Sequence, residues 1–259
     1  MASQSTKKRI GTADWLLPSA FLVLILFVWE IITHFFSIPE FLLPGPMAIG
    51  KSIFSDRSVL LFHAGITLSE AVCGFIIANL FGVAVGTLFA YSKTLKRGLY
   101  PFAIALKTTP IIAIAPLFIL WFGNGPISKI AAAAIISFFP AVVNTTRGLK
   151  SVSQDSLDLF KSFSAKSYQL FMKLRFPTAL PYIFSALKIS SSLAVVGAIV
   201  GEFVGANKGM GYFIIINYYH FEIVKVFSGV VVVALTGILF FGVISMIEKK
   251  VIFWAKIDE

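Results

Sequence analysis

The chain has 259 residues, of which 58% are hydrophobic and only 13% are charged, and its formal net charge is +10. Its mean hydropathy of +0.89 lies far above that of water-soluble domains and excludes a soluble globular protein. The apolar runs are about 20 residues long, which fits membrane-spanning helices rather than the roughly ten-residue alternating segments of a β-barrel. We therefore predict an all-α integral membrane protein.

Six membrane-spanning helices are predicted in a single membrane domain that covers residues 1–259. Their expected ranges are about 15–36, 65–91, 99–122, 127–146, 182–204 and 222–247. Trp15 and Trp29 stand near the ends of the first span, as interfacial anchors do, and Glu30 is expected to reach water at its outer end. A short interfacial helix is predicted at 47–54, between the first two spans.

The second and third spans contain small residues, prolines and one charge. Gly82 and Gly86 have the four-residue spacing that permits close approach of a neighbouring helix. The third span holds Pro110, which is expected to bend it, and the charged residue Lys107. Lys107 has two interpretations: its side chain extends to the membrane surface, or its ammonium group lines the path of an anion.

The fourth and fifth spans carry further polar groups. Asn144 lies toward the inner end of the fourth span. Lys188 lies near the inner end of the fifth span and is expected to extend to the surface. Glu202, near the outer end of this glycine-lined helix, is interpreted either as an exposed carboxylate or as part of a gate or a contact with an external partner.

Basic residues are distributed unevenly between the two sides of the membrane. If six spans are drawn, one side holds the clusters at 7–9, 93–97, 147–175 and 249–256. The other side holds Lys51, Arg57, Lys129, Lys208 and Lys225. The positive-inside rule therefore predicts that both termini and the loop at 148–181 are cytoplasmic. Because this distribution and attraction to anionic lipid account for the positive charge, no nucleic-acid partner is predicted.

The 148–181 loop is the one long polar interruption of the membrane domain. Its apolar residues recur at three- and four-residue steps between the charges: Leu157, Phe160, Phe163, Tyr168, Phe171 and Leu174. This pattern predicts short amphipathic helices. Aromatic residues at helical spacing on a cytoplasmic surface indicate a docking interface more than a solvated face.

The ends of these short helices are predicted from local signals. Ser151 with Gln154 fits a capping box that opens the first helix, and Ser167 is the expected N-cap of the second. Pro177 and Pro181 are expected to end the segment.

The loop resembles the cytoplasmic loop of permease subunits of bacterial ATP-binding cassette (ABC) importers. The family pattern reads Glu-Ala-Ala, three residues, Gly, nine residues, then a hydrophobic-x-Leu-Pro ending. Placing Pro177 on its last residue puts Asp158 on the Glu, Leu159 and Phe160 on the Ala pair, and Ser164 on the Gly. Three further stretches resemble the nitrate, sulfonate and taurine branch: 110–125, 176–190 and 201–214.

This resemblance implies a membrane-spanning permease subunit in the bacterial inner membrane. It implies a homodimer around a translocation path, two separate ATPase subunits that grip the 148–181 loops, and an extracytoplasmic solute-binding protein. The coupling residues would be Asp158, Phe160, Phe163, Ser164 and Pro177, and the candidate path residues are Lys107, Asn144 and Glu202. The implied substrates are small nitrate-, sulfonate- or taurine-like anions, or vitamin-related compounds such as pyrimidine precursors or riboflavin.

Two other functions remain open at this point: a stand-alone secondary transporter driven by an ion gradient, and a membrane scaffold. The sequence shows no inverted halves, which disfavours the secondary transporter. It also has no G-x-x-x-x-G-K-[ST] phosphate loop and no H-E-x-x-H motif, and His34, His63 and His220 are expected far apart in outer or interfacial stretches. Neither catalysis nor a bound cofactor is predicted for this chain.

Overall fold

The computed structural model describes residues 12–254, with side chains from residue 16. In chain order the helices are α1 (Thr12–Phe35), α2 (Pro46–Ser55), α3 (Arg57–Tyr91), α4 (Lys93–Thr108), α5 (Ile111–Phe122), α6 (Pro126–Lys150), α7 (Gln154–Ser162), α8 (Ser167–Leu170), α9 (Phe176–Gly205), α10 (Met210–Tyr219) and α11 (Ile223–Val251). A π-helical turn, Phe171–Arg175, joins α8 to α9. Residues 12–254 contain no strand, so the predicted all-α class is confirmed. The basic clusters at 7–9 and 256 and the Trp15 side chain lie outside this description.

Five helical segments are long and apolar enough to cross a membrane. They are Leu16–Phe35, Arg57–Tyr91, Pro126–Lys150, Ser167–Gly205 and Ile223–Val251. A sixth crossing requires α4 and α5 together, and these two helices are bent by 99° at their junction. The third span, predicted at 99–122 with a bend at Pro110, is therefore two helices with a sharp break between them.

The break between α4 and α5 has a local cause. Thr109 adopts an extended conformation, with φ −69° and ψ 124°, because the ring of Pro110 disfavours the helical region for the residue before it. The Thr109 hydroxyl then donates to Ala105 O at 2.8 Å and occupies a carbonyl near the end of α4. Pro110 thus interrupts the helix rather than bending it.

The centre of the fold consists of α3, α6 and α9, with α11 packed against α9 and α1 at the periphery. Small residues let these helices approach closely. A Cβ atom on Gly82 would lie 3.0 Å from Phe138 O, and one on Gly86 would lie 2.7 Å from Val142 O. The close approach expected at Gly82 and Gly86 is therefore confirmed, and the neighbouring helix is α6.

The C-terminal part of α1 is attached to the N-terminus of α2. Glu30 Oε2 accepts a hydrogen bond from Met47 N at 2.9 Å, so this carboxylate satisfies one of the free N–H groups at the positive end of α2. The helix predicted at 47–54 is α2. Glu30 therefore has a structural partner in addition to its predicted access to water.

The ends of the helices in the 148–181 loop differ from the predicted caps. The N-cap of α7 is Ser153, whose Oγ accepts from Ser156 N at 3.3 Å, whereas the Ser151 hydroxyl donates to Gly148 O and closes α6. The N-cap of α8 is Lys166, one residue before the predicted Ser167, and its backbone N–H donates to Gln169 Oε1 at 2.8 Å.

Pro177 and Pro181 do not end the segment, because α9 continues through both. Pro177 lies in the first turn of α9, where the missing N–H would have had no partner within that helix. The π turn just before Pro177 keeps α8 and α9 in one helical path. Helix α8 is thereby continuous with the long apolar helix α9.

Candidate functional site

Residues 148–181, called the coupling segment after their predicted role, present an apolar surface that nothing in the described chain covers. The exposed fractions are 56% for Leu159, 77% for Phe163 and 71% for Tyr168. Phe160 is only half-buried, so part of its ring already packs within the chain. The segment is nevertheless a defined pair of helices, because Ser153 and Gln169 cap them. Such a rigid, exposed apolar surface is suited to bind another protein.

Asp158 lies on α7 with two partners of its own chain. Lys161 Nζ donates to Asp158 Oδ1 at 2.9 Å, and Gln154 Nε2 donates to the same oxygen at 3.1 Å. The hydrogen bond from Lys161, followed by that from Gln154, holds the pKa of Asp158 below its usual value. Asp158 is therefore a carboxylate at neutral pH, and Oδ2 remains available to accept a donor from a partner protein.

Ser164 forms the turn between the two coupling helices. Its φ is +54°, in the left-handed region that glycine adopts without strain. Ser164 N donates to Lys161 O at 2.8 Å, and Ala165 N donates to Phe160 O at 3.1 Å, which closes the end of α7. The residue aligned with the family glycine thus has the backbone conformation that favours glycine.

The candidate path residues Lys107 and Asn144 lie on neighbouring helices. Lys107 is exposed in the last turn of α4, and its Nζ lies 4.9 Å from the centre of the Phe139 ring on α6. Asn144 is half-buried on α6 and donates from Nδ2 to Pro140 O at 2.9 Å. This bond leaves Asn144 Oδ1 as an acceptor.

Glu202 is far from those residues and is not an exposed carboxylate, so that interpretation is wrong. It is 1% exposed, because α9 is enclosed here by α3 and α10. Glu202 Oε1 accepts from Thr67 Oγ1 at 2.7 Å, and Oε2 accepts from Gly211 N at 2.5 Å. It holds the segment after α9 in place and remains a candidate for a gate.

The structure adds two buried ionisable residues beside Glu202 that the sequence reasoning missed. Glu70 on α3 is 6% exposed and faces Glu202, and Lys129 on α6 is 2% exposed. A signal was present, because His63, Thr67 and Glu70 recur at three- and four-residue steps on the face of α3 that also carries its close-packed glycines. His63, predicted just before the second span, lies within α3 and is likewise buried, at 9% exposure.

Lys188 does not simply extend to the membrane surface. Its Nζ lies 2.7 Å from Glu248 Oε2 on α11, and the Glu248 side chain is 3% exposed. The lysine is drawn toward this carboxylate because a buried charge requires a partner. The pair ties the beginning of α9 to the end of α11.

Comparison with known proteins gives the context for these features. Residues 73–253 match the family model described as "Binding-protein-dependent transport system inner membrane component". The chain is 36% identical to the formylaminopyrimidine transport permease protein ThiX of Halalkalibacterium halodurans, over 92% of this chain and 96% of the relative. It is 31% identical to the riboflavin transport system permease protein RibX of Chloroflexus aurantiacus, over 90% and 88% of the two chains.

Two further comparisons are consistent with the same family. The chain is 30% identical to the putative aliphatic sulfonates transport permease protein SsuC of Bacillus subtilis, over 96% of this chain and 90% of the relative. A solved structure of the MetNI methionine ABC transporter in an inward-facing conformation superposes with a TM-score of 0.67 at 18% identity, over 76% of this chain and 98% of the other. That likeness shows a shared fold. The chain therefore belongs to the binding-protein-dependent transport system inner membrane components, and it is the membrane-spanning permease subunit of an ABC importer in the inner membrane.

Proposed function

We propose that two copies of this chain enclose a translocation path, that two separate ATPase subunits bind their 148–181 segments, and that a solute-binding protein docks on the opposite side of the membrane. The observation that carries this proposal is the uncovered apolar surface of Leu159, Phe163 and Tyr168 on a capped helical projection. An apolar surface of this kind in water is stabilised when a partner covers it.

The connection of the coupling segment to the membrane domain supports a mechanical role. Because α8, the π turn and α9 form one continuous helical path, a displacement of the segment passes directly into α9. The Lys188–Glu248 pair then links α9 to α11. ATP-driven closure of the ATPase subunits would draw the two segments together and switch the path between its inward- and outward-facing states.

A second copy of the chain would cover surfaces that are exposed in a single copy. Lys107 is exposed, and Leu120 and Trp121 on α5 are 76% and 64% exposed. A path between two chains would cover α5 and place Lys107, with Asn144 on the adjacent helix, where a solute passes. The decisive measurement is the mass of the purified complex together with its subunit composition, and a complex that contains a different permease chain refutes the homodimer.

Two classes of substrate have support. The relative at 36% identity is named for formylaminopyrimidine, which favours a small vitamin-precursor substrate. The exposed cation Lys107 favours an anion of the sulfonate or nitrate kind. Uptake of labelled aminopyrimidine, riboflavin, alkyl sulfonate and nitrate by proteoliposomes that contain the complete transporter distinguishes them.

ATP dependence tests the importer mechanism itself. We expect uptake only when the binding protein, the ATPase subunits and ATP are all present. Uptake by the permease alone along an ion gradient would contradict the proposal.

A further inference from the structure

Three consecutive backbone N–H groups fix the beginning of α10 to side chains of α3 and α9. The donors are Gly209, Met210 and Gly211. Their acceptors are, in the same order, His63 Nδ1 at 3.0 Å, Thr67 Oγ1 at 2.7 Å and Glu202 Oε2 at 2.5 Å. These are the N–H groups that a helix leaves without partners in its first turn. We call residues 206–211 the latch segment, because side chains of other helices hold its end closed.

The glycines of the latch segment make this approach sterically feasible. Gly209 has φ +103°, and a Cβ atom there would lie 2.6 Å from Glu202 Oε2. A Cβ atom on Gly211 would lie 2.7 Å from both Glu202 Cβ and Ile199 O. The backbone of the segment therefore lies directly against the Glu202 carboxyl group.

The hydrogen bonds favour the ionised form of Glu202. Both of its oxygens accept, one from the Thr67 hydroxyl and one from Gly211 N–H, and a carboxylate accepts with both oxygens. It also lies at the N-terminus of α10, which favours a negative charge. Glu202 is thus favoured as the ionised member of the pair that it forms with Glu70.

Glu70 faces Glu202 from α3 in a buried position. Its Oε2 is buried without a hydrogen-bond partner. Two ionised carboxylates in contact, away from water, would repel each other, whereas a protonated Glu70 can donate to Glu202. The arrangement therefore requires one proton for the two carboxyl groups.

The charge of Lys129 attracts both carboxyl groups, but its hydrogen bonds go to other oxygens. Its Nζ donates to Asn124 O at 2.9 Å, to Asn124 Oδ1 at 3.3 Å and to Gly205 O, which uses its three N–H donors on uncharged oxygens. Within residues 16–254, no carboxylate lies within ion-pair distance of it. The other titratable groups around the pair are His63 on α3 and Lys208 in the latch segment, whose Nζ lies over the Phe62 ring.

We propose that Glu70 and Glu202 bind one proton between them and that this proton holds the latch segment closed against α3 and α9. Loss of the proton places two negative charges in contact, so the segment loosens. The latch segment lies at the end of α9 opposite the coupling segment, since the 30 residues of α9 separate the two. The pair is thus a proton-binding site that controls opening at the far end of the permease.

Hydrogen exchange of the latch amides measures this directly in the purified full chain. Buried carboxyl groups titrate as high as about pH 8–9, so protection of the peptide 206–214 is measured from about pH 7 to about pH 10, with each rate corrected for intrinsic base catalysis. In this range His63 is neutral, because its pKa without perturbation is about 6.5. We expect the protection of the wild-type peptide to fall by tenfold or more as the pH rises.

Two isosteric variants distinguish the effect of the shared proton from the effect of burying the carboxyl groups. In Glu70→Gln the amide donates to Glu202 at every pH, so protection should stay high and lose its pH dependence. In Glu202→Gln the amide oxygen can still accept from Gly211 N and only one carboxyl group remains, so protection should also lose its pH dependence. Glu248→Gln, which alters a buried carboxylate at the other end of α9, should retain the wild-type fall.

Several results would overturn the proposal. One is a protection of the peptide 206–214 that stays constant with pH in the wild-type chain, a result that can be obtained without any substitution. An unchanged fall with pH in Glu70→Gln or in Glu202→Gln is another. The measurement uses neither the ATPase nor a binding protein, so its failure leaves the proposed function untouched.

Discussion

Phe163→Ala is the substitution that most directly tests the coupling segment. Phe163 is 77% exposed, so its removal costs the permease itself little. An aromatic side chain buries roughly 200 Å² when it is fully covered, so a partner that covers the exposed part removes about 150 Å² of apolar surface from water. At ~25 cal/mol per Å² this corresponds to at most about 4 kcal/mol of binding free energy.

The expected loss is smaller than that limit because alanine keeps part of the contact and the interface relaxes. We expect about 2 kcal/mol, which is roughly a thirtyfold weaker affinity for the ATPase subunit. Phe160→Ala should also weaken binding, but this ring is half-buried within the chain, so a lower unfolding temperature should accompany it. The two variants therefore differ in stability although both lie on the coupling segment.

The assay is titration of the permease in lipid nanodiscs with purified ATPase subunit, followed by ATP-dependent uptake in proteoliposomes. Lys161→Ala is the neighbouring control, because an exposed ion pair with Asp158 contributes little. Phe221→Ala is the matched aromatic control, since Phe221 is 81% exposed and lies between α10 and α11, away from the coupling segment. Wild-type affinity and uptake in Phe163→Ala would refute the assignment of this surface to the ATPase.

Three further predictions concern the turn, the path and the topology. Ser164→Gly should keep full ATPase binding and Ser164→Val should weaken it, because φ +54° strains a β-branched residue; equal binding of the two contradicts a conformational role for the turn. Lys107→Met should reduce uptake of an anionic substrate and leave ATPase binding unchanged, and wild-type uptake would return Lys107 to a side chain that only reaches the membrane surface. In a Cys73→Ser background, a cysteine at Lys166 should be closed to an impermeant reagent added outside and one at Asp56 should be open, whereas the reverse pattern refutes cytoplasmic termini.

The buried polar contacts show where local pattern stops being informative. Lys188 and Glu202 are both visible as charges in an apolar span, and sequence reasoning predicted water access for Lys188 and left it open for Glu202. The structure pairs Lys188 with Glu248 and surrounds Glu202 with Thr67, Glu70 and Gly211. A charge in an apolar span signals that a partner or water must be near, but it carries no information about which one.

The sequence by itself determined the features that depend on neighbouring residues. Apolar runs define the helical membrane class, the three- and four-residue steps at 157–174 define the coupling helices, and the Gly82 and Gly86 spacing defines a close helix contact. These features repeat within a few turns of one helix. They can therefore be read without knowing what lies beside that helix.

Only the tertiary structure decided how the faces of different helices meet. Thr67 and Glu202 are 135 positions apart, and their hydrogen bond exists because α3 and α9 pack at that depth. Side-chain packing across the bundle decides which buried carboxyl groups lie together. A polar group that is removed from water must find its partner among the residues packed around it.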